Sequence, residues 1–339
     1  MTAPKAMREI AAGGPDGTEA LSEALLTATE PVVLRGLVAA WPMVAAANAS
    51  HGAAEAYLRR FYRDATVNAM HGAPAIGGRF FYNDDVSGFN YSSLRVRFDA
   101  VLDALREHAH DDKPPSFYVG STTIDSCLPG FRAENDVGLG ARDALASIWV
   151  GNRTRIPAHY DVPDNLACVA AGRRRFTLFP PEQLGNLYVG PLDLTPAGQA
   201  VSMVDFAAPD FTAHPRFADA LAHAQVAELG AGDAIFIPSM WWHHVEALAS
   251  FNVLVNYWWR QSPPYMDTPM NTLLLALMTL RDLPPAQRAA WQGIFEHYVF
   301  DSDGSEAAHI PPAARRVLAP LDADAARMLR AHLLNKLKR

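Results

Sequence analysis

Cysteine and charge are both scarce in this chain, and long apolar runs are missing. Only two of its 339 residues are cysteine, Cys127 and Cys168. Two cannot build a disulfide framework, so the composition fits a reducing compartment. Charged residues make up 19%, and 29 Lys and Arg against 36 Asp and Glu leave a net charge of −7. That balance offers no general attraction to nucleic acid or to an anionic membrane, although local basic patches stay open. Residues 1–14 lack the apolar centre of a signal peptide, and the apolar stretch 272–280 is too short to span a bilayer. No internal repeat and no low-complexity tract is present. The expectation is a cytoplasmic protein that engages neither membrane nor nucleic acid.

What the chain has in quantity is hydrophobic residues, 50% of the total, enough for a large core. Helical periodicity marks 17–28, 53–61 and 98–107, the last with Phe98, Val101, Leu102 and Leu105 on one stripe. Short strands are expected at 31–34, 66–70 and 79–82. From 116 onward the pattern turns to β: 116–120, 147–150, 165–169, 174–179, 201–203, 225–228, 234–237, 243–247 and 251–258. Short strands at this density, divided by Gly, Pro and Asp, point to a jelly-roll barrel and not to a parallel α/β sheet. After Pro264 helices return, at 270–281, 285–298 and 322–337. The first of these is strongly apolar and must bury that face on the barrel or on a second subunit.

Two segments carry chemistry. One is Pro157-Ala158-His159-Tyr160-Asp161; the other runs from Gly232-Asp233 through Pro238 and Trp241-Trp242 to His243-His244. In a strand, residues i and i+2 face the same side, so His159 and Asp161 can reach one metal while Tyr160 turns away. A histidine from a neighbouring strand would complete a 2-His-1-carboxylate set, which holds Fe(II) and leaves one face open. The plainer alternative is a surface H-x-D turn and a hydrogen-bonded core histidine. His243 and His244 point opposite ways on a strand, so at most one of them can join the set.

Several further stretches fall in order around these segments: Asn165, Gly172-Arg173-Arg174-Arg175, Leu178-Phe179-Pro180-Pro181, Val255-Asn256-Tyr257-Trp258, and near the start Pro31 to Gly36 with Trp41-Pro42. With them the chain resembles the cupin-like JmjC oxygenases that depend on Fe(II) and 2-oxoglutarate, including their asparaginyl-hydroxylase branch. The likeness covers residues 28–262. It implies a mainly β fold with helical additions: a double-stranded β-helix (jelly-roll, cupin/JmjC) core preceded by α/β elements and followed by helices. The corresponding division is an N-terminal segment 1–27, a jelly-roll domain 28–262, and a helical region 263–339 that would serve for homodimerisation.

The resemblance also implies roles. The histidine directly after the tryptophans, His243, is the ligand to expect beside His159 and Asp161, with His244 structural. Arg174 occupies the place of the cation that holds the distal carboxylate of 2-oxoglutarate. An outward, solvated Arg is the competing reading for some of the Arg173–Arg175 triplet. Tyr118 resembles the family's phenol at that carboxylate, Asn165 and Asn256 resemble polar residues of the co-substrate and metal pocket, and Trp258 resembles a pocket wall; each could equally be a satisfied core residue. Ile156 departs from the pattern, since the asparaginyl-hydroxylase branch has Thr there and gains a hydrogen bond. The implied activity is hydroxylation of a protein side chain or small molecule, using Fe(II), 2-oxoglutarate and O2. A cupin with other metal chemistry and a non-catalytic binding module stand as rivals.

Overall fold

The computed structural model describes residues 5–12 and 21–338. Fourteen strands are present among them: β1 (Lys5–Ala6), β2 (Arg8–Ala11), β3 (Val32–Arg35), β4 (Thr66–Gly72), β5 (Ser92–Arg97), β6 (Ser116–Thr123), β7 (Leu145–Gly151), β8 (Arg155–His159), β9 (Asp164–Ala171), β10 (Arg173–Phe179), β11 (Gln225–Gly230), β12 (Ala234–Ile237), β13 (Trp242–Ala247) and β14 (Asn252–Trp259). They form a nine-stranded sheet, β2-β3-β12-β9-β14-β7-β6-β4-β5, and a five-stranded sheet, β1-β11-β10-β13-β8. Most ladders are antiparallel; β1–β11 and β2–β3 are parallel. The helices are α1 (Glu23–Leu26), α2 (Pro42–Ala49), α3 (His51–Phe61), α4 (Phe98–Glu107), α5 (Ile124–Cys127), α6 (Phe217–His223), α7 (Pro269–Thr279), α8 (Pro285–Phe295) and α9 (Ala323–Leu337). This is the jelly-roll core with added helices that the sequence pattern indicates.

The large sheet is buried on both faces at its centre, which is why β9 reads as an unbroken apolar run instead of an alternating one. Leu166, Cys168 and Ala170 of β9, with Val253, Val255 and Tyr257 of β14, pack into one cluster with Met43, Leu58, Phe98 and Phe131 from the helices and loops. Ala167, Val169 and Leu254 turn the other way and meet Phe176 and Leu178 of β10 in the space between the sheets. The period of two thus divides each central strand into a structural face and an interior face. Gly172, at φ +77°, carries the chain from β9 in one sheet to β10 in the other; a Cβ there would lie 2.3 Å from the Asn252 side chain and 2.6 Å from the Phe251 carbonyl. No other residue fits that corner, and the corner sets the phase of the β10 strand.

Two expected strands are absent. Residues 79–82 make only isolated bridges, because the Asn90 side chain takes the place of a neighbouring strand: it accepts from the Phe81 N–H at 2.9 Å and donates to the Arg79 carbonyl at 2.9 Å. Residues 201–203 likewise form one bridge, Val189 to Ser202. The start of the helix expected at 17–28 lies outside the described residues, and its described part is α1. Strand β5 and helices α2 and α6 were not legible, being short or lacking clean periodicity. Packing divides the chain into two compact units, Met1–Gln261 and Ser262–Arg339. In the second unit α7 leaves Leu273, Leu274 and Met278 exposed. Among the described residues no helix is long and apolar enough to cross a membrane.

One histidine far from the ligand pattern links the fold to pH. His51, capped by Ser50 at the start of α3, stacks on Phe251 with ring centroids 4.3 Å apart, and its Nε2 is buried without a partner. Burial pushes its pKa below the ordinary 6.5. Below that pH the unfolded chain binds a proton here that the folded protein resists, so stability is full above about pH 6.5 and declines as the pH falls. Urea unfolding at about pH 7.5 and about pH 5.5 checks this: His51→Phe is expected to lose less stability between the two than the unaltered protein.

Candidate metal centre

The site lies at one end of the space between the sheets. His159 is the last residue of β8 and His243 the second of β13, and the two are directly opposite across that ladder. The ladder carries a β-bulge: His243 faces His159, yet Val245 faces Ile156, so β8 has one residue more than its partner over this interval. The extra residue falls at Pro157-Ala158, where proline has no N–H to give to a ladder. Without the bulge, Ile156 and His159, three apart, would face opposite sides. With it both line the same cavity, and so does Pro157.

Asp161 sits just beyond the end of β8, in the loop to β9, and not on the strand as the alternation suggested. The loop is knitted to the turn before β13. The Met240 N–H donates to the Asp161 carbonyl at 2.9 Å, the Ser239 hydroxyl to the Val162 carbonyl at 2.6 Å, and the Ser239 N–H to Asp164 Oδ1 at 2.9 Å. Met240 is held at φ +69° in that turn, a conformation other residues than glycine seldom adopt. The two segments that carry the candidate ligands are therefore fastened to each other before any ligand binds.

One ligand atom from each of His159, Asp161 and His243 lies within 4.8 Å of the others, the only such trio among the described residues. His243 Nε2 is 3.6 Å from Asp161 Oδ2, and the two imidazole centroids are 4.3 Å apart. The Nδ1 of His159 is 2.9 Å from the Pro157 carbonyl, and that of His243 is 3.0 Å from the Trp241 carbonyl. A carbonyl only accepts, so Nδ1 carries a proton in both rings and Nε2 is the nitrogen left for a metal. Burial, with His243 close by, depresses His159 to about 4, so this ring is neutral at physiological pH. Asp161 Oδ2 accepts from Trp258 Nε1 at 3.0 Å and from Asn165 Nδ2 at 3.2 Å. Imidazoles held through Nδ1 and an oriented carboxylate are the donors a divalent cation of the Fe(II) type requires.

His244 points to the other side of β13. Its ring is 4.6 Å from Phe206 and burial depresses it to about 4. Tyr160, between the two ligands in sequence, packs on Trp242 with centroids 5.0 Å apart, outside the cavity.

The cavity has a volume of about 520 Å³. Arg174, Tyr118, Asn165, Asn256, Trp258 and Ile156 all line it with the trio. Arg174 is 2% exposed, its Nε has no partner, and it forms no ion pair among the described residues. Burial lowers its pKa. Tyr118 is pushed up to about 12 by burial, against the pull of the Arg174 charge. Arg175, the next residue, faces outward and pairs with Glu228 and Glu246, so the triplet divides as strand alternation requires. Wall residues not singled out from the sequence include Asn68, Met70, Ser93 and Trp149. Trp149 alternates with the core residues Ile148 and Val150, and that phase was the one available sign of it.

Titration with Mn(II), read by the paramagnetic resonance of the free ion, tests the trio. Asp161→Ala and His243→Ala are expected to abolish tight binding, while His244→Ala retains it.

A family model described as "Cupin-like domain" matches residues 18–265. Curated relatives include lysine-specific demethylase JMJ31 of Arabidopsis thaliana, 35% identical over 133 residues, which is 37% of this chain and 24% of that protein. The tRNA wybutosine-synthesizing protein 5 of Danio rerio is 36% identical over 105 residues, 31% of this chain and 29% of its own length. Human HSPB1-associated protein 1 is 29% identical over 164 residues, 46% of this chain and 33% of its own. The chain thus spans between about a quarter and a third of these relatives. With a matched region that takes in twelve of the fourteen described strands and the candidate trio, the chain belongs to the cupin-like JmjC-domain family.

Proposed function

We propose that this protein is an Fe(II)- and 2-oxoglutarate-dependent dioxygenase that hydroxylates an uncharged group of a protein side chain or small molecule. The observation that carries the reading is Arg174, a guanidinium shut inside the cavity with no anion within ion-pair distance among the described residues. Burying an unpaired charge costs several kcal/mol, a cost a fold keeps only where the charge has a use. A dicarboxylate reaching from the metal to this residue would satisfy it. Leu178 lies opposite His243, and Arg174 is four residues back along the same strand. That is about 13 Å along the strand, a distance that a long Arg side chain and a five-carbon diacid divide between them. Tyr118, beside it and protonated at neutral pH, has a hydroxyl to donate to the same carboxylate. Ile156 contributes only apolar contact where the asparaginyl-hydroxylase branch has a hydroxyl, so the co-substrate loses one hydrogen bond there.

His159, Asp161 and His243 would hold the metal. Fe(II) with 2-oxoglutarate supplies an oxidative decarboxylation in which one atom of O2 enters succinate and the other becomes the hydroxyl of the substrate. The chain's own residues do the rest. Trp258 and Asn165 fix the carboxylate, the two backbone carbonyls fix the imidazoles, and Phe176, Ile237, Val245 and Leu254 keep water from the interior. With Arg174 committed to the co-substrate and Asp161 to the metal, the remaining walls, among them Asn68, Met70, Ser93 and Trp149, carry no charge. They suit a neutral reacting group and give an ammonium group no counter-ion. The relatives act, by their names, on a lysine and in the making of a tRNA nucleoside; neutral walls favour neither cation nor phosphate close to the metal.

The test is anaerobic: Fe(II) and then 2-oxoglutarate are added to metal-free protein and the visible spectrum is recorded. A charge-transfer band that needs both additions is expected, and Arg174→Met should remove it. Iron binding without a band would replace this reading with another cupin chemistry. The same variant makes a second forecast. Because it removes an unpaired buried charge, Arg174→Met is expected to raise the stability of the ligand-free protein by about 1–4 kcal/mol, measured by urea unfolding.

A further inference from the structure

We infer that Trp149 is a positioning residue for the Asp161 carboxylate, acting at a distance through Asn256 and Asn165. The inference rests on the reading of His159, Asp161 and His243 as metal ligands. A single chain of hydrogen bonds crosses three neighbouring strands. Trp149 Nε1, on β7, donates to Asn256 Oδ1, on β14, at 2.7 Å. Asn256 Nδ2 donates to Asn165 Oδ1, on β9, at 3.2 Å. Asn165 Nδ2 donates to Asp161 Oδ2 at 3.2 Å. The links run diagonally across the ladders, since Leu254 stands opposite Trp149 and Ala167 opposite Asn256. Asn256 and Asn165 are 1% and 6% exposed, so solvent cannot readily replace a missing partner.

The direction of this chain is held from both ends, by the donor-only indole of Trp149 and the acceptor-only carboxylate of Asp161. An indole N–H can only donate, whereas an amide can present either its oxygen or its nitrogen. Trp149 therefore requires the oxygen of Asn256, which turns the nitrogen of Asn256 toward Asn165. That in turn requires the oxygen of Asn165 on its near side and leaves the nitrogen for Asp161. Remove the indole N–H and the carboxylate alone orders the amides, while Asn256 Oδ1 is left buried without its donor and gains by turning away. In the flipped arrangement a carbonyl oxygen faces a carboxylate oxygen, and the carboxylate is repelled from its place. Trp258 donates to the same Oδ2 but belongs to no such chain, and Oδ1 accepts nothing among the described hydrogen bonds. Loss of an outer partner of a metal ligand commonly costs 10–100-fold in metal affinity.

Trp149 also packs against Tyr118 and Trp258, with centroids 5.8 and 5.7 Å apart, so the variant must keep a ring and lose only the donor. Trp149→Phe does this. Mn(II) affinity is measured for the full chain, for Trp149→Phe, for Asn165→Ala and for the double variant, with melting temperatures alongside. Weakening of at least about tenfold in Trp149→Phe, absent when Asn165 is already Ala, is the expected result, because the hydrogen-bonded route to the carboxylate runs through Asn165, whereas a loss carried by packing on Trp258 would persist in that background. Asn256→Ala breaks the middle link and should behave the same way, which keeps the test in hand if Trp149→Phe does not fold. Unchanged affinity in Trp149→Phe, or an undiminished loss in the Asn165→Ala background, would overturn the relay while leaving the metal site standing. Failure of the unaltered protein to bind Mn(II) would overturn the reading of the site and the relay with it.

Discussion

Burial of β9 and β14 on both faces is the constraint on which the rest of the molecule depends. A strand with two buried faces has no side to give to water, so every residue serves either the helix-covered core or the space between the sheets. Leu166, Cys168, Val253, Val255 and Tyr257 anchor the helical layer. Asn165, Ala167, Leu254, Asn256 and Trp258 are left to face inward, and these build the wall behind the candidate metal centre. A slip of one residue in either strand would exchange the two sets and put the amides among the leucines. The core and the site are therefore specified by one register.

The interior gathers polar groups at two depths, and each depth solves a different problem. Around the trio each polar side chain has at least one partner: imidazoles on carbonyls, carboxylate on indole and amide, amide on amide. Those groups are satisfied without a ligand and keep their geometry in its absence. Deeper in, Arg174 is unsatisfied, and its burial is a standing cost to the fold. A rigid, satisfied rim around an unsatisfied floor favours a ligand that can cross from one to the other, since such a ligand gains from the floor without disturbing the rim.

The sequence made the barrel legible because its strands are short, apolar and punctuated by turn residues, and the ligand trio legible because H-x-D and Trp-Trp-His hold a fixed spacing. The inward place of Arg174 came from the resemblance, with an outward Arg left open; the structure closes that choice, since Arg174 lines the cavity with Phe176 while Arg175 faces outward. The sequence placed His159 and Asp161 together on one strand, and did not show the bulge at Pro157-Ala158 or that Asp161 has already left the strand when it reaches the site. It suggested strands at 79–82 and 201–203, where apolar runs are real but the backbone bonds go to Asn90 and to isolated bridges. Asn165 and Asn256 were legible as polar residues in an apolar setting; that each is committed to the other, and through it to Trp149 and Asp161, depends on diagonal neighbours across ladders that a linear pattern does not reveal.

The bulge at Pro157-Ala158 makes β8 two short strands with independent phase. Upstream, Ile156 keeps step with Phe80 and Tyr118 in the cavity wall; downstream, His159 keeps step with His243. A residue that belongs to neither ladder works like slack in a coupling. The wall can be re-cut at position 156 for a larger, smaller or more polar occupant while the imidazole three residues on stays where it is. A single proline without an N–H thus lets the cavity wall and the imidazole of His159 be set independently in this chain.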